Sequence, residues 1–503
     1  MASGSVAVAA LLAAGAAAAD EAAVARGAYL AKAADCQACH TAEGGQAFAG
    51  GLALNTPFGT IYSVNITPDR ETGLGAWTEA DFARALREGR GRGGTYLYPA
   101  MPYDSYTKIT DADVADLWAY MQSLAPVRSP ARQNGLGFPF DIREGLAVWD
   151  GLFFRPGRFE PDPQRDATWN RGAYLVEALG HCADCHTPRN LAGATEPGRA
   201  LTGAAIDTWY APDIADDPMS GIAGWSVDEL ATFLRTGTND RNVAAVGPMA
   251  EVIHDSLSGL TDADIRAMAV YLKDARPPQD PPAAPARAAI APAILAAGGA
   301  LFEQHCLSCH KADGQGVEKI APALAGNSAV AARAPDNVVS AVLEGFPARD
   351  SWSSMPSFAT VLDDAAISAV TNYVRTAWGN GAQPNATPWL VGALRKDAGE
   401  PAAGSAPTAV FFCPKIARHQ LDAASVAALR QLDGADLDRA GLAAIVAGYQ
   451  AANPGVGTSD LMGAFLAGYC PVVDAGGGSY AEKGARLANF MGQVADIVAP
   501  GRG

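Results

Sequence analysis

The chain has 503 residues, of which 49% are hydrophobic and 18% charged, and 37 Lys and Arg stand against 53 Asp and Glu for a formal net charge of −16. At ~100–200 residues per domain, this length calls for several cores rather than one. The acidic balance excludes nucleic acid, whose binding depends on cations that neutralise phosphates, and disfavours an acidic membrane surface. Residues 408–503 hold 7 basic and 8 acidic side chains, so nearly all the net charge lies before them. A docking partner of that earlier part is expected to be basic or apolar at the contact.

In chain order, residues 1–19 form an apolar run closed by small residues, as an export signal is, although no Lys or Arg precedes it. Cleavage near Ala19 is the expectation, with retention as an anchor the alternative; no other stretch is long and apolar enough to span a bilayer. The first unit, 20–124, opens on Arg26-Gly-Ala-Tyr-Leu30 and then reads Cys36-Gln-Ala-Cys39-His40. Two cysteines one helical turn apart can hold a porphyrin edge by thioethers, and the adjacent His can reach its iron. The same motif returns as Cys182-Ala-Asp-Cys185-His186 and Cys306-Leu-Ser-Cys309-His310, taking six of eight cysteines and three of seven histidines. Three covalent haem c groups are therefore expected, since three repeats each ending in His fit haem attachment better than a shared zinc cluster.

Residues 125–168 are an aromatic-rich connector containing Phe138, Phe140, Trp149, Phe153, Phe154 and Phe159. It serves either as glue between units or as a docking surface for a subunit or quinone. The second unit, 169–276, repeats the first. Tyr62–Gly89 and Tyr210–Gly237 align without gaps at an offset of 148, with 9 of 28 positions identical. Extending that offset pairs Met101 with Met249 as axial ligands opposite His40 and His186, and leaves Met219 as a loop residue. Thr110 and Thr261 each begin Thr-Asp-Ala-Asp, where Thr can cap and acids favour a helix start, so helices are expected over Val114–Leu124 and Ile265–Ala275.

A proline-rich spacer, 277–292, leads to a third, more divergent unit at 293–397. It offers Met355 as the partner of His310, Pro322 as a carbonyl to hold the His310 ring, and a closing helix around Asp363–Trp378. Met121, Met268, Met462 and Met491 fall in helical apolar patterns and are expected in the core. After a linker at 398–407, residues 408–503 carry no haem motif but show helical patterning through Gly484, Leu487, Met491, Val494 and Val498. Cys413 and Cys470 are expected to pair in an oxidising compartment.

The order of helix, haem motif, Pro loop, Met-Pro and final helix resembles a class I cytochrome c domain. From about Val24 to Arg395 the chain resembles the tri-haem cytochrome c subunits of membrane-bound bacterial dehydrogenases for alcohols, sugars, sugar acids and aldehydes. The resemblance is carried by Arg26-Gly-Ala-Tyr-Leu, Val64-Asn-Ile-Thr-Pro-Asp, Tyr98-Pro-Ala-Met-Pro-Tyr, Gly137-Phe-Pro-Phe-Asp-Ile-Arg143, Trp169-Asn-Arg-Gly-Ala-Tyr-Leu175, Gly247-Pro-Met-Ala-Glu251 and Thr261-Asp-Ala-Asp. It implies an all-α fold of three tandem class I cytochrome c domains plus a C-terminal helical segment without haem. It also implies a catalytic partner subunit using pyrroloquinoline quinone, flavin or molybdopterin. Electrons would pass to ubiquinone or another respiratory acceptor, in the periplasm at the outer face of the cytoplasmic membrane, with peripheral membrane association. The segment after about 408 departs from that pattern. A free-standing multihaem carrier and a haem peroxidase-like enzyme are the alternatives, the second disfavoured because each unit offers a methionine for the sixth position. No Rossmann fingerprint, P-loop or nucleophile elbow is present, so no catalytic residue is assigned to this chain.

Overall fold

The computed structural model describes residues 21–215, 221–274, 289–317, 321–346, 355–399, 420–432, 438–456, 458–477 and 480–498. Residues 1–19, Met219, Cys413 and most of the two linkers lie outside the described residues. The fold is mostly helical. Two short antiparallel hairpins, Ala53–Thr56 with Gly59–Tyr62 and Ala204–Ile206 with Trp209–Ala211, are absent from the all-α expectation. The first is extended by Gly135–Leu136 of the connector. The hairpins sit at corresponding places in the repeat.

One helix crossing recurs three times. A Cβ on Gly27 would fall on the Asp116 carbonyl and 2.7 Å from Tyr120 Cβ. On Gly172 it would fall on the Ala267 carbonyl and 2.9 Å from Tyr271 Cβ, and on Gly298 on the Ala369 carbonyl and 2.9 Å from Tyr373 Cβ. In each case a helix leading to a haem motif lies backbone to backbone on the closing helix of its unit, which only glycine permits. The closing helices are Asp111–Ser123, Asp262–Asp274 and Asp364–Thr376. Thr110, Thr261 and Asp363 cap their starts by accepting from the N–H three residues on, as the Thr-Asp-Ala-Asp pattern predicts for the first two.

The first two units share one core, in which Leu30, Leu117 and Met121 join Leu175, Leu179 and Met268. Their contact is reciprocal. Tyr29 OH donates to Asp264 Oδ2 at 2.6 Å and accepts from Thr261 N at 3.0 Å. Its repeat counterpart Tyr174 donates to Asp113 and accepts from Thr110 N at 3.2 Å. The same patch on both halves therefore pairs with itself, as across a two-fold axis. Bidentate Arg26–Asp116 and Arg171–Asp264 pairs brace the helices on either side.

The connector turns some apolar side chains outward, Phe138 being 82% and Val148 66% exposed, while Trp149 and Phe154 pack on Tyr103, Phe140 on Phe58 and Phe159 on the shared core. The packed rings act as glue to the first unit, and the exposed side chains leave an apolar surface. The connector is held to the Met101 loop by Tyr98 OH on Phe140 O (3.0 Å), Arg143 on Tyr96 O (2.7 Å) and Tyr103 OH on Asp150 (2.8 Å).

The third unit docks on the second through Asn337, which exchanges hydrogen bonds with the Tyr210 backbone at 2.9 and 2.8 Å, and Ser340, which donates to Thr208 O. After it, the helices Ala423–Leu432, Arg439–Ala452, Thr458–Ala475 and Tyr480–Val498 form a bundle around Leu429, Phe465, Phe490 and Val494. Leu487, Met491 and Val494 are buried along one face as expected, and Met462 joins them in that core. Cys470 is fully buried and disulfide-bonded.

The crossing generates a stability prediction. Gly172→Ala is expected to destabilise by about 1–3 kcal/mol, because the extra methyl must push two backbones apart. Gly198→Ala, where nothing lies within 4 Å of the added atom, is expected to stay within about 0.5 kcal/mol. Chemical denaturation of the two variants checks the difference.

Candidate haem centres

Each haem motif is a single helical turn, Cys36–Cys39, Ala183–His186 and Leu307–His310, and its His closes on a loop carbonyl. His40 Nδ1 lies 2.7 Å from Val64 O, His186 Nδ1 2.7 Å from Pro212 O, and His310 Nδ1 3.1 Å from Pro322 O. A carbonyl only accepts, so Nδ1 carries the proton in all three rings and the Nε2 lone pair is left for a metal. Burial also lowers the basicity of each ring, that of His310 to about 4, which keeps the imidazoles neutral and able to ligate. The Pro322 contact is the one expected from the sequence.

Val64 and Pro212 are repeat counterparts that the sequence reading did not single out, although the offset of 148 already paired them. Their carbonyls are aimed by the next residue: Asn65 Oδ1 accepts from Thr67 N at 2.9 Å, and Asp213 Oδ1 from Ala215 N at 2.9 Å. A further strut is common to all three sites. Gly50, Gly203 and Gly316 donate their N–H to the backbone carbonyls of His40, His186 and His310 at 2.7, 2.8 and 3.1 Å.

The six motif cysteines form no disulfide. Desolvation pushes the thiols of Cys36, Cys182 and Cys306 up to about 12, an environment that disfavours thiolate metal ligands. Among the described residues no three His, Cys, Asp or Glu side chains converge as a bare metal ion would require. The first two motifs approach one another at the residues that precede them, Ala34 and His181. Between them Tyr106, buried, donates to Ala34 O at 2.7 Å and sets its ring against His181 at 5.5 Å.

The methionines are positioned in two ways. Met101 and Met249 pack on the shared core together with Cys36 and Cys182. Met249 is not in a loop; it sits in the first turn of Pro248–Asp255, entered through Gly247 at φ 55° over the Trp209 ring. Met355 pairs with Phe346 by two backbone hydrogen bonds, at 2.8 and 2.9 Å. It lines one cavity of about 730 Å³ with Cys306, Cys309, His310 and Pro322. Phe302, Val338, Val342, Phe358, Val370 and Val374 make the cavity's apolar wall. The size, the two cysteines at one edge, and a neutral His and a thioether at the walls fit a haem held through its edge and ligated on both faces. Met121 and Met268 are 1% exposed core residues, as expected.

The comparisons with known proteins agree with this geometry. The cytochrome c family profile matches residues 24–125 and 295–378, the first and third units. The gluconate 2-dehydrogenase cytochrome c subunit of Pantoea cypripedii is 40% identical over 406 residues, covering 75% of this chain and 91% of that one. The cytochrome c subunit of the quinone alcohol dehydrogenase of Gluconacetobacter polyoxogenes is 39% identical over 409 residues, covering 77% and 87%. A nicotinate dehydrogenase subunit of Pseudomonas putida is 45% identical over 360 residues, which are 70% of this chain but only 30% of that much longer one. With cytochrome c domains that imply covalent haem and with relatives covered over nearly their whole length, the chain belongs to the family of cytochrome c subunits of bacterial dehydrogenases, which are electron-transfer proteins.

Proposed function

We propose that the chain is a tri-haem electron relay built of three tandem class I cytochrome c domains, with axial pairs His40/Met101, His186/Met249 and His310/Met355. The observation that carries this reading is the recurrence at all three motifs of one arrangement: a His tethered through Nδ1 to a loop carbonyl, beside a glycine-mediated helix crossing. The second unit, outside the family profile, has both features.

Haem supplies one-electron redox chemistry when bound. The protein's part would be to hold it by the motif cysteines, histidines and methionines and to limit its contact with water. The Nδ1 tethers hold the His rings in the tautomer that presents Nε2. The half-buried Met101, Met249 and Met355 would supply a soft ligand that tends to raise the potential, which suits outer-sphere transfer and would leave no open position for a peroxidase step.

Electrons enter from a catalytic dehydrogenase subunit of pyrroloquinoline quinone, flavin or molybdopterin type and leave to ubiquinone or another respiratory acceptor. The relatives, named as subunits of gluconate, alcohol and nicotinate dehydrogenases, support the partner class. The outward-facing side chains of the connector offer an apolar contact beside the Met101 loop. The site of action is the periplasm at the outer face of the cytoplasmic membrane, with peripheral attachment. No helix among the described residues is long and apolar enough to cross a membrane.

Intact mass and pyridine haemochrome are expected to give three haems per chain; two or four would refute the count. Met249→Ala is expected to abolish the sulfur-to-iron absorption band of one haem, and Met219→Ala to leave all three bands. In stopped flow, alcohols, sugars and aldehydes are expected to reduce the haems only when the co-purifying subunit is present. Reduction of the isolated chain by any of them would overturn the relay, and failure of every co-purifying protein to reduce it would favour a free carrier.

A further inference from the structure

The haem-free segment after residue 408 has no part in the reading above, yet it meets the third haem motif directly. The helix Tyr480–Val498 packs on Leu307–His310 and on Pro292–His305. Val317 and Ala321, from the loop that carries the Pro322 carbonyl, are buried in the core of the C-terminal bundle rather than in that of their own unit, and Cys309 packs against the same core. Leu466 and Leu487 of the bundle reach through to line the cavity shared by Cys309, His310 and Met355. The second cysteine of the motif registers the difference: Cys39 and Cys185 are exposed, whereas Cys309 is half-buried.

The second unit contributes to the cavity as well. Trp209, Gly247 and Pro248 line it, and Trp209 packs at a tilt against Phe346 with ring centroids 5.8 Å apart. Asn242 ties the two units at the ligand loop itself, accepting from Ala323 N at 2.7 Å and donating to Gln315 O at 2.8 Å. The third site is therefore walled by three parts of the chain.

We propose that the C-terminal helical bundle is a structural wall of the third haem site, with Leu466 and Leu487 as haem-contacting residues that close its thioether edge to water and to partner proteins. The third haem then exchanges electrons through its contact with the second unit rather than across the Cys309 edge. The apolar closure also has a redox consequence. Oxidation adds one positive charge to the iron site, and a dry wall disfavours that charge, so the bundle raises the potential of this haem relative to an open edge.

The inference rests on the tri-haem reading, and the test separates the two. In the full-length holoprotein, Leu466→Ala with Leu487→Ala opens the wall. Spectropotentiometric titration follows the three haems, with the third identified as the one whose sulfur-to-iron band is lost in Met355→Ala. Expected is a shift of the third haem's reduction equilibrium on the order of tenfold toward the oxidised form, about 59 mV for one electron, with the other two unchanged. Leu487→Met on the Leu466 wild-type background is expected to keep the native potential. Leu429→Ala removes an equally buried side chain of the same bundle that does not line the cavity, and is expected to shift no haem. Unchanged potentials in the double variant, equal shifts of all three haems, or the same shift in Leu429→Ala would overturn the wall. A haem count of two in the unmodified chain would instead overturn the tri-haem reading.

Discussion

The hydrogen bond from a histidine Nδ1 to a loop carbonyl is the constraint on which the rest depends. It selects the tautomer, orients the ring and frees Nε2, and it works only if the carbonyl is held still. Much of the irregular structure does that holding. The Asx turns at Asn65 and Asp213 aim two of the carbonyls, while Asn242 of the second unit ties down the backbone beside the third. Buried Phe48 and Leu201, both at positive φ, accept from the N–H groups of Ile66 and Ile214 within those two turns. Left-handed backbone at a non-glycine residue is uncommon, and here the surrounding hydrogen bonds enforce it twice at matching places.

Duplication accounts for the different status of the three units. The first two tie the leading helix of each to the closing helix of the other through reciprocal Tyr29 and Tyr174 bonds, and share a core. Two haem motifs are thereby fixed as one body, with Tyr106 between them. The third has no such mate. Its loop buries Val317 and Ala321 in the C-terminal bundle, which supplies the apolar cover it would otherwise lack. Its own interior is braced by Arg375, fully buried, whose guanidinium satisfies the carbonyls of Val330, Ala332 and Ala334; burial lowers its pKa to about 10. A cation enclosed by carbonyl oxygens is tolerable only with its hydrogen bonds made, so this corner is rigid as well as polar.

The connector shows how composition alone leaves a choice open. Its aromatics suit both a buried seam and a binding surface. The structure holds elements of both: Trp149 and Phe154 pack on Tyr103, and Tyr98, Arg143 and the Tyr103–Asp150 bond hold the backbone to the first unit, while Phe138, Val148 and Leu152 face out. The apolar surface thus stands beside the Met101 loop, within the first unit's reach.

The three haem motifs and the offset that aligns Met101 with Met249 were legible in the amino-acid order, because covalent attachment demands a fixed local spacing and a duplication preserves its offset. The closing helices were legible too, since their caps and apolar spacing are local. Other features were decided by tertiary structure. The Val64 and Pro212 carbonyls carry no side-chain signature, since the ring bonds to main chain and almost any residue can present a carbonyl there. The Met249 helix start depends on Trp209 beneath Gly247, from another element. The hairpins need a partner strand to define them. Above all, the convergence of Cys309, Met355, Trp209 and Leu487 on one cavity joins residues far apart in the chain, and only the packing of three cores against one another brings them together.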